Sequence, residues 1–170
     1  SAKLNLLPNQ KGGPPLWLGA FGPLGIRRAA TLDASWLAPP DGDRQTLLER
    51  YEIYREALNS NNLSMERDYP LMREVIVAND SRTATKNAQR YLAEQYRGYK
   101  SWDSVKDLSE EKILQEFALI GTTDMISEKI SWYSEKLGIT EIIMRLQWTG
   151  MDHSEVLESI NLIGERLIKK

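Results

Sequence analysis

The pattern that most restricts this chain is an alternation of short apolar runs with amphipathic stretches, each pair joined by glycine, proline or aspartate. Leu16 to Leu18 reads as a buried strand, closed off upstream by Pro14-Pro15. Gly19 to Gly25 is a glycine-bearing turn. Ile26 to Leu32 is a short helix in which Ala29 and Ala30 allow close packing. Ala34 to Ala38 is a second strand, stopped by Pro39-Pro40, and Asp41-Gly42-Asp43 supplies a turn and an N-cap. Leu47, Tyr51, Tyr54 and Leu58 then fall at helical spacing over Arg44 to Asn59. Leu71 to Ala78 is a third strand with a β-branched centre, Val75-Ile76-Val77. Asn79-Asp80-Ser81 caps a long helix with Ala84, Ala88, Tyr91 and Gln95 on one face, and Tyr96 to Ser104 reads as its end plus a loop. Glu110 to Leu119 is a further helix, and Ile120 to Thr123 reads as a break. Ile126, Ile130, Tyr133 and Leu137 mark the next helix, stopped by Gly138. Thr140 to Trp148 is the fourth strand, and Val156, Ile160, Ile163 and Leu167 mark the closing helix.

Alternation of this kind calls for parallel strands joined by right-handed crossovers. Four such units are too few for a complete (β/α)8 barrel, which takes about 250 residues, and are enough for half of one. Order alone fits a half barrel or a small open α/β sheet equally well. The 170 residues suit one domain, 1–170.

Charge and composition narrow the function classes. A formal net charge of −2, with 27% charged residues, offers no basic surplus for nucleic acid. The absence of cysteine removes disulfide and thiolate chemistry and fits a cytoplasmic location. No apolar run approaches the ~20 residues of a membrane span. The first residues lack the apolar core of a signal peptide. Ser1-Ala2 in place of an initiator methionine suggests a start set by processing or cloning. A lone histidine, His153, beside a helix start reads as a surface or capping residue, and no cluster supports metal binding.

The turn after the first strand is the best candidate for contacting a ligand. Strand, glycine turn and helix N-terminus together present backbone N–H groups and a partial positive charge to an anion. Gly19 and Gly22 would permit close backbone approach. Arg27 and Arg28 read as solvated, and Arg73 and Glu74, placed at a strand start, as structural. Arg145, Gln147 and Trp148 lie near the end of the last strand, where they fit a substrate pocket, with packing an equal reading for Trp148. Tyr91, Tyr96, Tyr99 and Trp102 read as packing.

Several of these segments carry a resemblance. Pro14-Pro15-Leu16-Trp17-Leu18-Gly19-Ala20 and Arg28-Ala29-Ala30-Thr31-Leu32-Asp33-Ala34-Ser35-Trp36-Leu37 are similar to the fifth strand, helix and sixth strand of bacterial-luciferase-like, flavin-dependent monooxygenases. Leu71 to Ala78 resembles their seventh-strand segment, and Phe117-Ala118-Leu119-Ile120-Gly121-Thr122 the segment before their penultimate helix. Leu137-Gly138-Ile139-Thr140 is similar to the approach to the eighth strand, and Gln147-Trp148-Thr149-Gly150-Met151 with the closing helix to the family's end. The order and spacing of these segments, rather than any one of them, carry the likeness over nearly the whole chain.

The resemblance implies a TIM-barrel flavoprotein represented here by strands five to eight. It implies reduced FMN or a deazaflavin coenzyme at the barrel's C-terminal mouth and oxidation of a small organic substrate. Matched by position, Gly19, Ala20, Phe21, Gly22, Pro23 and Leu24 fall on the turn that lies against flavin phosphate and ribityl chain in several members. The family's first four strands have no counterpart, and with them go much of the flavin floor and the usual catalytic positions. Three expectations follow: the C-terminal half of a flavin monooxygenase; a non-catalytic half barrel that self-associates or pairs with an N-terminal half; or an unrelated small α/β binding module.

Overall fold

The computed structural model describes residues 6, 8–99 and 109–168. In chain order the elements are β1 (Trp17–Gly19), α1 (Pro23–Thr31), β2 (Ser35–Leu37), α2 (Arg44–Ser60), β3 (Pro70–Val77), α3 (Ser81–Tyr99), α4 (Glu110–Phe117), β4 (Ala118–Gly121), α5 (Thr123–Leu137), β5 (Glu141–Arg145) and α6 (His153–Ile163). A π-helical turn, Gly164–Ile168, extends α6.

Local chemistry explains most of the boundaries. Pro23 opens α1, where its missing N–H costs nothing. The Asp43 carboxylate accepts the Thr46 amide at 2.9 Å and starts α2. The Thr122 hydroxyl caps α5 through Met125 N, and Gly138, in the left-handed region at φ 72°, ends it. At α6 the Asp152 amide donates to Glu155 Oε2 at 3.1 Å.

Every strand pairing is parallel. β1 pairs with β2, and β3 pairs with both β4 and β5. A bridge between Ala38 and Leu71 joins the two sheets. The hydrogen bonds show which edge each neighbour takes, because the N–H and C=O of one strand residue point to the same side. Pro70 O and Met72 N bond Ala38, and Ala78 N bonds Gly121 O, so β2 and β4 share one edge of β3. Tyr69 O accepts from Thr140 N, so β5 lies on the other. The order β1-β2-β3-β5 follows the chain, with β4 inserted where β2 leaves the upper half of β3.

The sequence expectation of four strands therefore undercounts. Ala118–Gly121, read as a helix end and a break, is a strand. A second correction concerns β1, expected to be buried. Leu16 is 63% and Trp17 40% exposed, because β1 has a strand neighbour on one side only among the described residues. Tyr99 ends α3, while Trp102 and the rest of 100–108 lie outside the described residues.

Alternation along β3 divides the core. Leu71, Val75 and Val77 face α1, α2 and α5, together with Trp36, Tyr51, Tyr54, Leu119, Ile126 and Leu137. Ile76 faces the other way, with Ala84, Ala88, Tyr91, Leu92 and Tyr96 of α3 and with Trp148. The Tyr91 hydroxyl ties α3 to α6 by donating to Glu155 Oε2 at 2.8 Å. The face of α6 is rotated from the expected one: Ser159, Leu162 and Ile163 are buried, whereas Ile160 is 47% exposed.

Candidate functional site

Parallel strands put all their C-terminal ends on one side, and in α/β folds ligands bind there. The turn after β1 and the loop after β5 both lie at that end. The structure thus brings Gly19–Leu24 and Arg145–Trp148 to the same end of the molecule, as the sequence suggests.

The β1 turn is open and held from below. Gly19 and Gly22 carry no packing neighbour: a Cβ built on either meets nothing within 4 Å. The glycine that the fold demands is Gly25, where an added Cβ would lie 2.7 Å from Ala20 Cβ. Gly22 is the N-cap of α1 and offers no side-chain cap, so the amides of Leu24 and Gly25 lack one. Pro23 has no amide, while Phe21 (51% exposed) and Leu24 (81% exposed) flank the opening with apolar surface. From below, Trp36 Nε1 donates to Ala20 O at 2.9 Å. Trp36 is itself fully buried, edge-on to Tyr51 with ring centroids 4.9 Å apart. Arg27 and Arg28 are exposed, as expected.

The β5 end is built around a buried carboxyl that the sequence reading placed at a strand start. Arg73 and Glu74 instead occupy the middle of β3, 0% and 1% exposed. Arg73 points toward the helices. Its guanidinium donates to the carbonyls of Pro39, Pro40 and Gly42 and its Nε to the Tyr133 hydroxyl at 3.1 Å, so it fastens the loop after β2. The same loop is pinned by the Arg50–Asp41 pair, a two-pronged contact at 2.9 and 3.1 Å. Glu74 faces the opposite side, with Arg145 Nη1 at 3.8 Å. Burial pushes its carboxyl above the usual range, opposed by the Tyr96 hydroxyl and by Arg145 and Arg73. The Arg145 guanidinium also stacks 4.6 Å over the Trp148 ring. Trp148 is buried and donates Nε1 to Val75 O at 3.3 Å, so it packs rather than lines an opening. Gln147 is exposed and His153 lies on the surface of the first turn of α6. Among the described residues no group of three or more acidic, histidine or cysteine side chains could hold a metal. Nor is any described helix long and apolar enough to cross a membrane.

A model of the luciferase-like monooxygenase family matches residues 2–141. The chain belongs to that family. Solved structures agree on the fold. Monooxygenase RslO1 from Streptomyces bottropensis superposes with a TM-score of 0.77 at 18% identity, covering 94% of this chain and 49% of that one. The oxygenating constituent of 3,6-diketocamphane monooxygenase from Pseudomonas putida, solved in complex with FMN, gives 0.72 at 19%, covering 93% and 49%. The coenzyme F420 dependent tetrahydromethanopterin reductase from Methanopyrus kandleri gives 0.62 at 17%, covering 91% and 50%. No curated protein sequence matches the chain. The chain spans about half the length of these structural neighbours. As a member of that family it has a mixed α/β fold with parallel sheets, similar to the TIM barrels of the luciferase-like monooxygenases.

Proposed function

We propose that this chain forms the C-terminal half of a flavin-dependent monooxygenase barrel, acting in the cytoplasm on a small organic substrate. The observation that carries the reading is the open turn at the end of β1. Gly19 and Gly22 face empty space, and the amides of Leu24 and Gly25 have no side-chain cap, at the end of the strands where Arg145 also emerges. That is the chemistry a phosphate-bearing cofactor needs: uncommitted N–H donors, helix-dipole charge and backbone that can be approached closely. Here the amides of Leu24 and Gly25 would hold the phosphate of FMN or a deazaflavin coenzyme, and Phe21 and Leu24 would flank its chain. The bound flavin supplies the redox chemistry; this chain's residues supply position. Arg145 and Gln147 face the substrate, with Trp148 supporting Arg145 from beneath.

The reading is tested by mixing the chain with the preceding four strand-helix units and titrating FMN and coenzyme F420. Saturable quenching of flavin fluorescence by the mixture supports it; no binding of either flavin sinks it.

A second reading, the non-catalytic half barrel, is favoured by the apolar surface around β1: Leu16, Trp17, Phe21 and Leu24 are all at least 40% exposed. An edge of this kind pairs with a second copy or with an N-terminal half. Light scattering of the chain alone at micromolar concentration separates the two. A monomer that binds flavin only with its other half favours the enzyme; a stable homo-oligomer that binds none favours the non-catalytic scaffold.

A further inference from the structure

A cleft of ≈ 1020 Å³ lies between α5, α4, α3 and the start of α2, away from the β1 turn. Its size is that of a small-molecule site. Apolar surface comes from Ile120, Met125, Leu114 and Ala88, and positive charge from Arg44 and Lys129.

The two cations are held in place without being neutralised. Lys129 Nζ donates to the carbonyls of Gln115 and Ala118, both at 3.3 Å, at the end of α4. Two of its three N–H donors are used and one remains. Arg44, the first residue of α2, stacks its guanidinium 4.6 Å over the Trp132 ring. Among the described residues neither cation has a carboxylate within ion-pair distance. The carboxylates on the cleft, Glu111 and Glu116, sit on α4. Burial above all, and then Arg44, lowers the Lys129 pKa; Glu116 opposes them, and Arg73 adds the smallest lowering effect. Positive charge is therefore concentrated and underpaired on the α5 side of an amphipathic cleft.

We infer that this cleft is a binding site for a small amphiphilic carboxylate, its anionic head on Lys129 and Arg44 and its apolar body along Ile120, Met125, Leu114 and Ala88. A single negative head matches one free ammonium donor and one stacked guanidinium; a neutral alcohol of the same length matches only the apolar wall.

Trp132 reports on the site because Arg44 stacks on it. Sodium octanoate is titrated against the 170-residue chain while tryptophan fluorescence is followed, with octanol as the uncharged control. The expected result is a saturable octanoate signal that disappears in Trp132→Phe. In Arg44→Gln, a change at an exposed position, octanoate binds about tenfold more weakly, the loss of one charge-assisted contact. Octanol binding is unchanged in that variant. Lys129→Gln gives a similar loss for octanoate; if that variant fails to fold, Arg44→Gln decides. An octanoate signal that survives Trp132→Phe, an equal effect of Arg44→Gln on octanoate and octanol, or no saturable signal overturns the inference. The proposed flavin turn plays no part in any of these readouts.

Discussion

Glu74 and Arg145 are register partners across β3 and β5, with Arg145 Nη1 3.8 Å from Glu74 Oε1. One member is dry and the other wet: Glu74 is 1% exposed, whereas the Arg145 side chain is 39% exposed. The second Glu74 oxygen, Oε2, accepts no hydrogen bond among the described residues. A buried carboxylate so loosely paired binds its proton more tightly in the folded chain than in the unfolded one. The stability it contributes is full below the unfolded carboxylate range and is lost as pH rises through the raised folded value. Urea unfolding of wild type and Glu74→Gln as a function of pH reads this directly. The difference between the two is expected to grow in favour of the variant above about pH 4. A difference that does not change with pH would show that Glu74 titrates normally.

Asp43 has the opposite sign. Burial raises its pKa, but the Thr46 amide and hydroxyl together with the positive charges of Lys112 and Arg50 outweigh it, so the net value lies below the usual carboxylate range. Its contribution is present above the unfolded carboxylate pKa and is lost as pH falls through the depressed folded one. Asp43→Ala is expected to lower stability by about 1 kcal/mol near neutrality, the usual worth of an N-cap. The deficit should shrink in acid; a deficit equally large at pH 2 would point to lost packing instead.

The Arg50–Asp41 pair is nearly dry, with side-chain exposures of 13% and 6%. Removing one partner strands the other, which costs about 3–5 kcal/mol. Asp41→Ala and Arg50→Met are each expected to be strongly destabilising, and the double variant less so than their sum. Strict additivity in a thermal-unfolding cycle would mean that the two charges do not interact.

Trp36→Phe keeps the aromatic packing against Tyr51 and removes the donor to Ala20 O. The stranded carbonyl is expected to cost about 1–3 kcal/mol, read as a lower denaturant midpoint with unchanged slope. The β1 turn should loosen as well, seen as faster amide exchange at Phe21 and Gly22. Unchanged exchange would show that Trp36 does not position the turn.

How legible these features were in the sequence depends on how local their cause is. The α2 helix was legible from the spacing of Leu47, Tyr51, Tyr54 and Leu58 and from the Asp43 cap, because both signals are local. β4 was hidden. Gly121 sits at φ 144°, a conformation for glycine, and its turn signal was read through the short apolar run before it. The exposure of β1 depends on which strands flank it, which no local pattern encodes. Arg73 and Glu74 did leave a signal, two charges directly before Val75-Ile76-Val77 in a buried run, but strand boundaries were too loose to place them at its centre. The turn between β1 and α1 was legible as a segment, but which of its glycines the fold requires was not: Gly25 is needed against Ala20, while Gly19 and Gly22 are free of any packing need. The alternation suggested parallel α/β units, and the order of short weak segments pointed to the family.

That last distinction separates fold from function at one turn, and substitution there tests the flavin reading most directly. Flavin affinity is measured for the barrel assembled with its N-terminal half, beside the thermal stability of the same proteins. Gly22→Ala adds a methyl into open space at the N-cap of α1 and is expected to lower stability by no more than about 1 kcal/mol. It should nonetheless weaken flavin binding about tenfold or more, because the methyl would stand where the proposed site brings the phosphate to the backbone. Gly25→Ala, which collides with Ala20, should lower stability as well. Wild-type flavin affinity in a normally folded Gly22→Ala barrel would contradict the assignment of this turn to the cofactor.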